Sequence, residues 1–297
     1  MTPRSPLSYF RSSKEDAASE TEVRTLQTES ASYRLSYTDT DFLTREELRP
    51  VRLQLELLKP EIIQEEHGID ATIVIFGSSR IPDKKEAQNN LAKAKQNAAD
   101  APEDTNLKRR VVIAENILKK SRYYDEARKL SALLSNMCHG QTENPLVVVT
   151  GGGPGIMEAA NRGAHDVGAK SIGLNIVLPH EQAPNAYISP ELCFQFHYFS
   201  IRKMQFLMRA QALVAFPGGF GTMDELFETL TLIQTRKIVS LPVLLFGREF
   251  WTKLLNFDFL ITEGVISEKD VEIFRFVETA EEASEIIRQH VSCRKMA

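Results

Sequence analysis

The residues best suited to do chemistry are Pro217-Gly218-Gly219-Phe220-Gly221-Thr222-Met223-Asp224-Glu225. They follow an apolar run, Ala212-Leu213-Val214-Ala215-Phe216, that reads as a buried strand. They lead into Leu226, Phe227, Leu230 and Ile233, spaced as one face of a helix. A glycine-rich turn between strand and helix leaves the first N–H groups of the helix without partners, and the helix dipole favours negative charge there. Gly218, Gly219 and Gly221 let backbone approach a phosphate without a Cβ in the way. Glu225 lies one turn in, where a site that only held phosphate has no need of an acid. Together these features predict chemistry on a phosphorylated small molecule. The same residues also admit a structural reading: Thr222-Met223-Asp224-Glu225 fits a capping box with Thr222 as N-cap.

A second turn, Thr150-Gly151-Gly152-Gly153-Pro154-Gly155, follows the apolar run Pro145–Thr150. It lacks the G-x-G-x-x-G dinucleotide spacing, and no Gly-Lys-Ser/Thr follows, so it is not a P-loop. It reads as a nucleotide-approaching turn or as a tight connection, with Pro154 in the first helical turn, where its missing N–H costs nothing. Ser200-Ile201-Arg202-Lys203-Met204 reads as a helix start with Ser200 as N-cap. Two cations in a first turn oppose the dipole, by about 0.3–1 kcal/mol each, unless an anion sits opposite. The alternative is a solvated charge pair. Tyr198, Phe199 and Met204 could wall a base pocket or simply fill core. The six histidines form no H-x-x-x-H pattern, and Cys138, Cys193 and Cys293 are too scattered to pair as metal ligands. No metal is expected.

The elements that must position these residues are short apolar strands alternating with helices. The strands are Ala71–Phe76, Pro145–Thr150, Ser171–Val177, Cys193–His197, Ala212–Phe216, Leu241–Phe246 and Phe274–Val277. The pattern predicts an α/β fold, a Rossmann-like parallel β-sheet flanked by helices. Ligands in such sheets bind at the carboxyl ends of strands, and three strands end in turns of that kind: Gly77-Ser78-Ser79, Gly151–Gly155 and Gly218–Gly221. Residues 1–40, rich in Ser, Thr and Glu, read as a disordered tail. Residues 41–69 read as an N-terminal helical extension opened by a Thr44–Glu47 capping box, with Pro60 as a kink or split. The main domain spans 70–292 and carries a helical insertion at about 83–122, a hairpin broken near Ala101-Pro102.

The 297 residues suffice for one large α/β domain with extensions. A net charge of -4 without a dense Lys/Arg block predicts no nucleic-acid partner. No apolar stretch approaches the ~18 residues of a membrane span, and the N-terminus has no signal-peptide core. Three unpatterned cysteines fit a reducing, cytoplasmic setting.

Three motifs in this order resemble the Lonely Guy (LOG) family of Rossmann-like nucleotide hydrolases, often labelled lysine decarboxylase-like. They are the Pro217–Glu225 loop, matching P-G-G-x-G-T-x-x-E, the turn Gly151–Met157 and the pair Arg202-Lys203. The resemblance covers about residues 70 to 290. The long N-terminus and the insertion are similar to the long form of the family, and Phe199-Ser200-Ile201 stands where short members have Met-His-Glu. The resemblance implies hydrolysis of the N-glycosidic bond of nucleoside 5′-monophosphates, AMP or N6-modified cytokinin types, to free base and ribose 5-phosphate. It implies Arg202 and Glu225 as the catalytic pair. It also implies Gly77, Ser78, Gly152, Gly153, Lys203, Gly218, Gly219, Gly221 and Thr222 as substrate- or phosphate-binding residues. No cofactor is called for, and a homodimer or higher homo-oligomer is expected. The decarboxylase label would ask for pyridoxal phosphate on a Schiff-base lysine, for which no sequence support is found. The alternative on this scaffold is a non-catalytic carrier or sensor of nucleotide or molybdenum cofactor.

Overall fold

The computed structural model describes residues 11–19, 23–137, 146–179 and 183–294. Cys138, His139, His180 and the predicted strand start at Pro145 lie outside the described residues. The chain divides into two compact units, Met1–Leu57 and Leu58–Ala297.

In the first unit, α1 (Ser13–Ala17) is opened by a Ser12/Glu15 capping box. So part of the stretch expected to be disordered folds into local helical turns. α2 (Thr40–Leu43) is capped by Asp39, which accepts from Phe42 N–H at 3.1 Å. Thr44 therefore ends that short helix instead of opening the next one, and its hydroxyl donates back to the Thr40 carbonyl at 2.8 Å. The expected Thr44–Glu47 box does not form. α3 (Arg49–Glu66) begins in this unit and runs through Pro60 unbroken. Gln64 Nε2 donates to the Pro60 carbonyl at 3.1 Å.

The second unit runs β1 (Ala71–Phe76), α4 (Lys84–Asp100), α5 (Thr105–Lys120), α6 (Arg122–Asn136), β2 (Leu146–Thr150), α7 (Ile156–Asp166) and β3 (Ser171–Ile176). It continues β4 (Cys193–Phe196), α8 (Phe199–Met208), β5 (Ala210–Ala215), α9 (Phe220–Gln234) and β6 (Val243–Phe246). α10 (Arg248–Leu254), α11 (Phe257–Thr262), β7 (Phe274–Val277) and α12 (Ala280–Arg294) close it. The stretch 84–120 folds as a helical hairpin, α4–α5, each helix capped by an aspartate, Asp83 and Asp104.

All seven strands pair in parallel, in the order β4-β3-β2-β1-β5-β6-β7. Alternation along β1 sends Ile73 and Ile75 to one face and Val74 and Phe76 to the other. The first face is covered by α6, α7 and α12 through Leu130, Ile156 and Ile287. The second is covered by α8, α9 and α10 through Phe206, Leu226 and Trp251. With both faces buried, the central strands β1, β2, β5 and β6 read as near-continuous apolar runs, whereas the edge strands β4 and β7 carry exposed Gln195 and Arg275. The chain winds outward from β1 to β4, then returns to β5 and winds the other way. Strand order thus reverses between β1 and β5, where doubly wound sheets leave a crevice.

Candidate active site

The turns after β1 and β5 meet at this reversal. Phe216 N–H donates to the Phe76 carbonyl at 2.8 Å, and Ser78 N–H to the Pro217 carbonyl at 3.0 Å. A cleft of about 630 Å³ opens above them. Its walls are Gly77 to Arg80 from the β1 turn, Gly151 and Met157, Phe199 and Arg202 of α8, and Gly219 to Glu225 of α9.

α9 starts earlier than the sequence predicts. Gly219 is its N-cap and makes no side-chain cap bond. Thr222, at the third helical position, folds back on the turn. A Cβ on Gly218 would come within 2.1 Å of its hydroxyl oxygen. The Thr222/Glu225 capping box is therefore not formed. Among the described residues, no acceptor takes the N–H groups of Phe220, Gly221 and Thr222, whereas Met223 N–H bonds Gly219 at 3.0 Å. Gly219 and Gly221 have open space where a side chain would stand. The helix thus presents a bare N-terminus to the cleft.

Glu225 lies on the second turn, only 6% exposed. Burial pushes its carboxyl up to about 7, against the opposing pull of Arg202 and Lys203. Arg202 comes from α8, which is capped by Tyr198 and not by Ser200. Its Nε donates to the Leu174 carbonyl at 2.7 Å, and its guanidinium lies 5.1 Å from the centroid of the Phe206 ring. Burial lowers its pKa, and the charge of Glu225 raises it. The two form no direct ion pair, so a gap between them stays open to the cleft.

Lys203 departs from the expectation. Successive helical residues point about 100° apart, and of the two only Arg202 lines the cleft. Lys203 Nζ instead holds Asp224 and Glu228, both at 3.0 Å, on α9. It fastens α8 to α9 and does not line the site.

The turn after β2 is packed shut. Gly155 caps α7 at φ +71°, and a Cβ there would meet the Ser78 carbonyl oxygen at 2.5 Å. Pro154 consequently precedes the helix and is not in its first turn. Gly152, at φ +76°, lies against Asn175 and does not line the cleft. Gly151 lies against Arg202 and Met157. Gly153 lines an adjoining cleft of about 220 Å³ that shares Ser79, Gly151, Met157 and Arg202 with the first. The structure therefore brings Gly77, Ser78, Arg202, Gly219, Gly221, Thr222 and Glu225 to one cleft and Gly153 beside it. Gly152 and Gly218 support the turns, and Lys203 sits outside.

Sequence reasoning missed the asparagines behind this turn. Thr150 Oγ1 donates to Asn161 Oδ1 at 2.7 Å, and Asn185 Nδ2 donates to the Gly152 and Gly153 carbonyls at 3.1 Å. The one sequence signal is Pro184-Asn185, which reads as turn chemistry only.

A family model described as "Possible lysine decarboxylase" matches residues 157–287. The cytokinin riboside 5′-monophosphate phosphoribohydrolase LOG3 of Arabidopsis thaliana is 30% identical over 181 residues, covering 60% of this chain and 80% of that protein. The chain belongs to the LOG family. A second LOG enzyme, from Oryza sativa subsp. japonica and carrying the same activity name, is 31% identical over 169 residues, covering 55% of this chain and 65% of its own. Among solved structures, the Moco carrier protein from Chlamydomonas reinhardtii is 18% identical with a TM-score of 0.43, covering 75% of this chain and 98% of that one. In this LOG protein the matched region takes in α8 and α9 and all but the first residue of α7, and so Arg202 and Glu225. Among the described residues no group of three or more His, Cys, Asp or Glu could hold a metal ion, and no helix is long and apolar enough to cross a membrane. Outside the cleft, α8 and α9 expose Met204, Met208 and Phe227, while Phe220 is exposed at the cleft wall.

Proposed function

We propose that this LOG-family protein hydrolyses the N-glycosidic bond of nucleoside 5′-monophosphates, with adenine or an N6-modified, cytokinin-type adenine as the base. One observation carries the reading: a buried carboxyl poised near neutrality shares a cleft with a helix N-terminus whose first N–H groups no described residue accepts. The N–H groups of Phe220, Gly221 and Thr222 suit a phosphate, and the open faces of Gly219 and Gly221 let it approach. The names of the LOG relatives point to the same substrate class.

The chemistry follows from the bond broken. As the C1′–N bond lengthens, its electron pair leaves with the base and positive charge builds on C1′ and the ring oxygen. Glu225, ionised, stabilises that charge and accepts a proton from the attacking water. The water oxygen bonds C1′ as the anomeric hydroxyl, the leaving base nitrogen takes a proton from solvent, Glu225 returns its own to solvent, and ribose 5-phosphate remains. Arg202 is fixed by Leu174 and Phe206, and without a direct ion pair it keeps donors available to substrate oxygens.

Base release from AMP and N6-substituted AMP, followed by chromatography, tests the proposal. Wild type is expected to release base, and Glu225→Gln to lose about 100-fold or more. Because the ionised form is the active one, kcat/KM is expected to rise through pH about 7 and fall below it. Release from no nucleotide in the panel would end the hydrolase reading.

A further inference from the structure

We infer that Asn185 is a positioning residue of this site: it locks the Gly151–Gly153 turn from behind without touching the cleft that Arg202 and Glu225 share. Its backbone N–H donates to the Gly152 carbonyl at 2.9 Å. Its side-chain NH2 group faces three oxygens: Gly152 O at 3.1 Å, Gly153 O at 3.1 Å and Asn161 Oδ1 at 2.9 Å. Its own oxygen accepts from Tyr187 N–H at 3.2 Å. Those partners fix the amide orientation, because a flipped amide would set oxygen against three acceptors.

The lock continues inward through fully buried groups. Asn161 Oδ1 also accepts from Thr150 Oγ1 at 2.7 Å, and Asn161 Nδ2 donates to Ser171 Oγ at 3.0 Å. Thr150 Oγ1 accepts in turn from Gly152 N–H at 3.0 Å. The glycine turn is thus held at its N–H, at two carbonyls and at the end of β2. Buried networks with every member satisfied are rigid and intolerant of partial loss.

What this rigidity serves is Arg202. Gly151 lies so close to Arg202 that a Cβ would come within 2.7 Å of Nη2, and Met157 crowds the same point at 2.9 Å. The turn is therefore a wall of the Arg202 pocket, and displacement of the wall gives the Nη2 end of the guanidinium room to move while Nε stays on Leu174. Asn185 acts through that wall. The inference concerns the site of the proposed hydrolase, but the lock exists whatever the substrate.

The test uses Asn185→Asp and Asn185→Ala in the full chain, with three readouts. Amide hydrogen exchange across residues 150–157 reads the turn directly. Binding of AMP by calorimetry reads the cleft, and base release reads kcat against KM. Aspartate has the volume of asparagine but puts a carboxylate against three oxygens, so packing alone predicts no change. We expect exchange in the turn to rise roughly tenfold or more, the scale of one or two lost buried hydrogen bonds, with exchange in β6 and β7 unchanged. We expect kcat to fall more than KM rises, since the mobile group is Arg202 and not the phosphate cradle on α9. If Asn185→Asp does not fold, Asn185→Ala decides by the same readouts. Unchanged exchange and an unchanged kcat in a folded variant would overturn the inference. If wild type releases no base while the variants still loosen the turn, the lock stands and the hydrolase reading falls.

Discussion

The turns after β2 and β5 have similar compositions and opposite architectures. Gly151–Gly155 is closed: positive φ at Gly152 and Gly155, contacts under 3 Å awaiting a Cβ at every glycine, and Ile156 N–H already bonded to the Ser78 carbonyl at 3.1 Å. Pro217–Gly221 is closed only at Gly218, against Thr222. Its other two glycines face empty space, and its helix begins with N–H groups that no described residue accepts. Glycine serves tertiary packing in the first turn and leaves room for something outside the chain in the second. Glycine density alone therefore does not mark a ligand. Unsatisfied backbone beside a cleft does.

Gly155→Ala breaks the contrast most severely. The substitution asks an L-residue to adopt φ +71°, ψ -127° and sets a methyl 2.5 Å from backbone of the β1 turn. The expected cost is about 3 kcal/mol or more, a drop in Tm of roughly 6–12 °C for a domain of this size. Thermal unfolding measures it. A loss under about 1 kcal/mol would mean that the two turns are not fixed against each other as the Ile156–Ser78 bond implies.

A smaller effect separates stability from activity at Glu225. Its folded-state carboxyl titrates at about 7, above the ordinary 4.5. Between those values the folded protein holds a proton that the unfolded chain has lost. Stability accordingly falls as pH rises from about 4.5 to 7 and is level above. Glutamine carries no such burden. Glu225→Gln is expected to be more stable than wild type at pH 8 by on the order of 1–3 kcal/mol, and no more stable near pH 4.5. Unfolding curves at both pH values decide. A difference that does not vary with pH would place the charge of Glu225 in solvent, outside the desolvated cleft that its burial describes.

The sheet was legible because parallel strands covered on both faces have no choice but to be apolar, and the runs at Ile73, Val148, Val214 and Leu244 say so directly. The hairpin break was legible from Pro102. The loop 217–225 announced itself because its chemistry is local: strand, glycines, acid, helix. What stayed hidden depends on exact helix starts or on distant partners. Moving the N-cap from Thr222 to Gly219 abolishes the capping box and bares the first turn. The Arg202-Lys203 pair cannot reveal which member faces the cleft until Asp224 and Glu228 claim the lysine. Asn185 bonds residues 24 to 33 positions away, which no local pattern encodes. Missed with a signal in view were α1, opened by the Ser12/Glu15 capping box, and α11, which Asn256 caps by accepting from Phe259 N–H at 3.0 Å.

Gly221→Ala is the mildest change and the sharpest test of the open turn. Position 221 is the second residue of α9, its φ is not positive, and no atom lies within 4 Å of where a Cβ would stand. Alanine suits a helix better than glycine by roughly 0.5–1 kcal/mol, so the folded protein should gain slightly. The same methyl would crowd the space in which a phosphate meets the Phe220–Thr222 N–H groups, so AMP binding should weaken while stability rises. Chemical denaturation and calorimetry on the one variant read both. A gain in stability with undiminished nucleotide binding would leave the openness of this turn without a ligand and reduce its glycines to the packing role they play after β2.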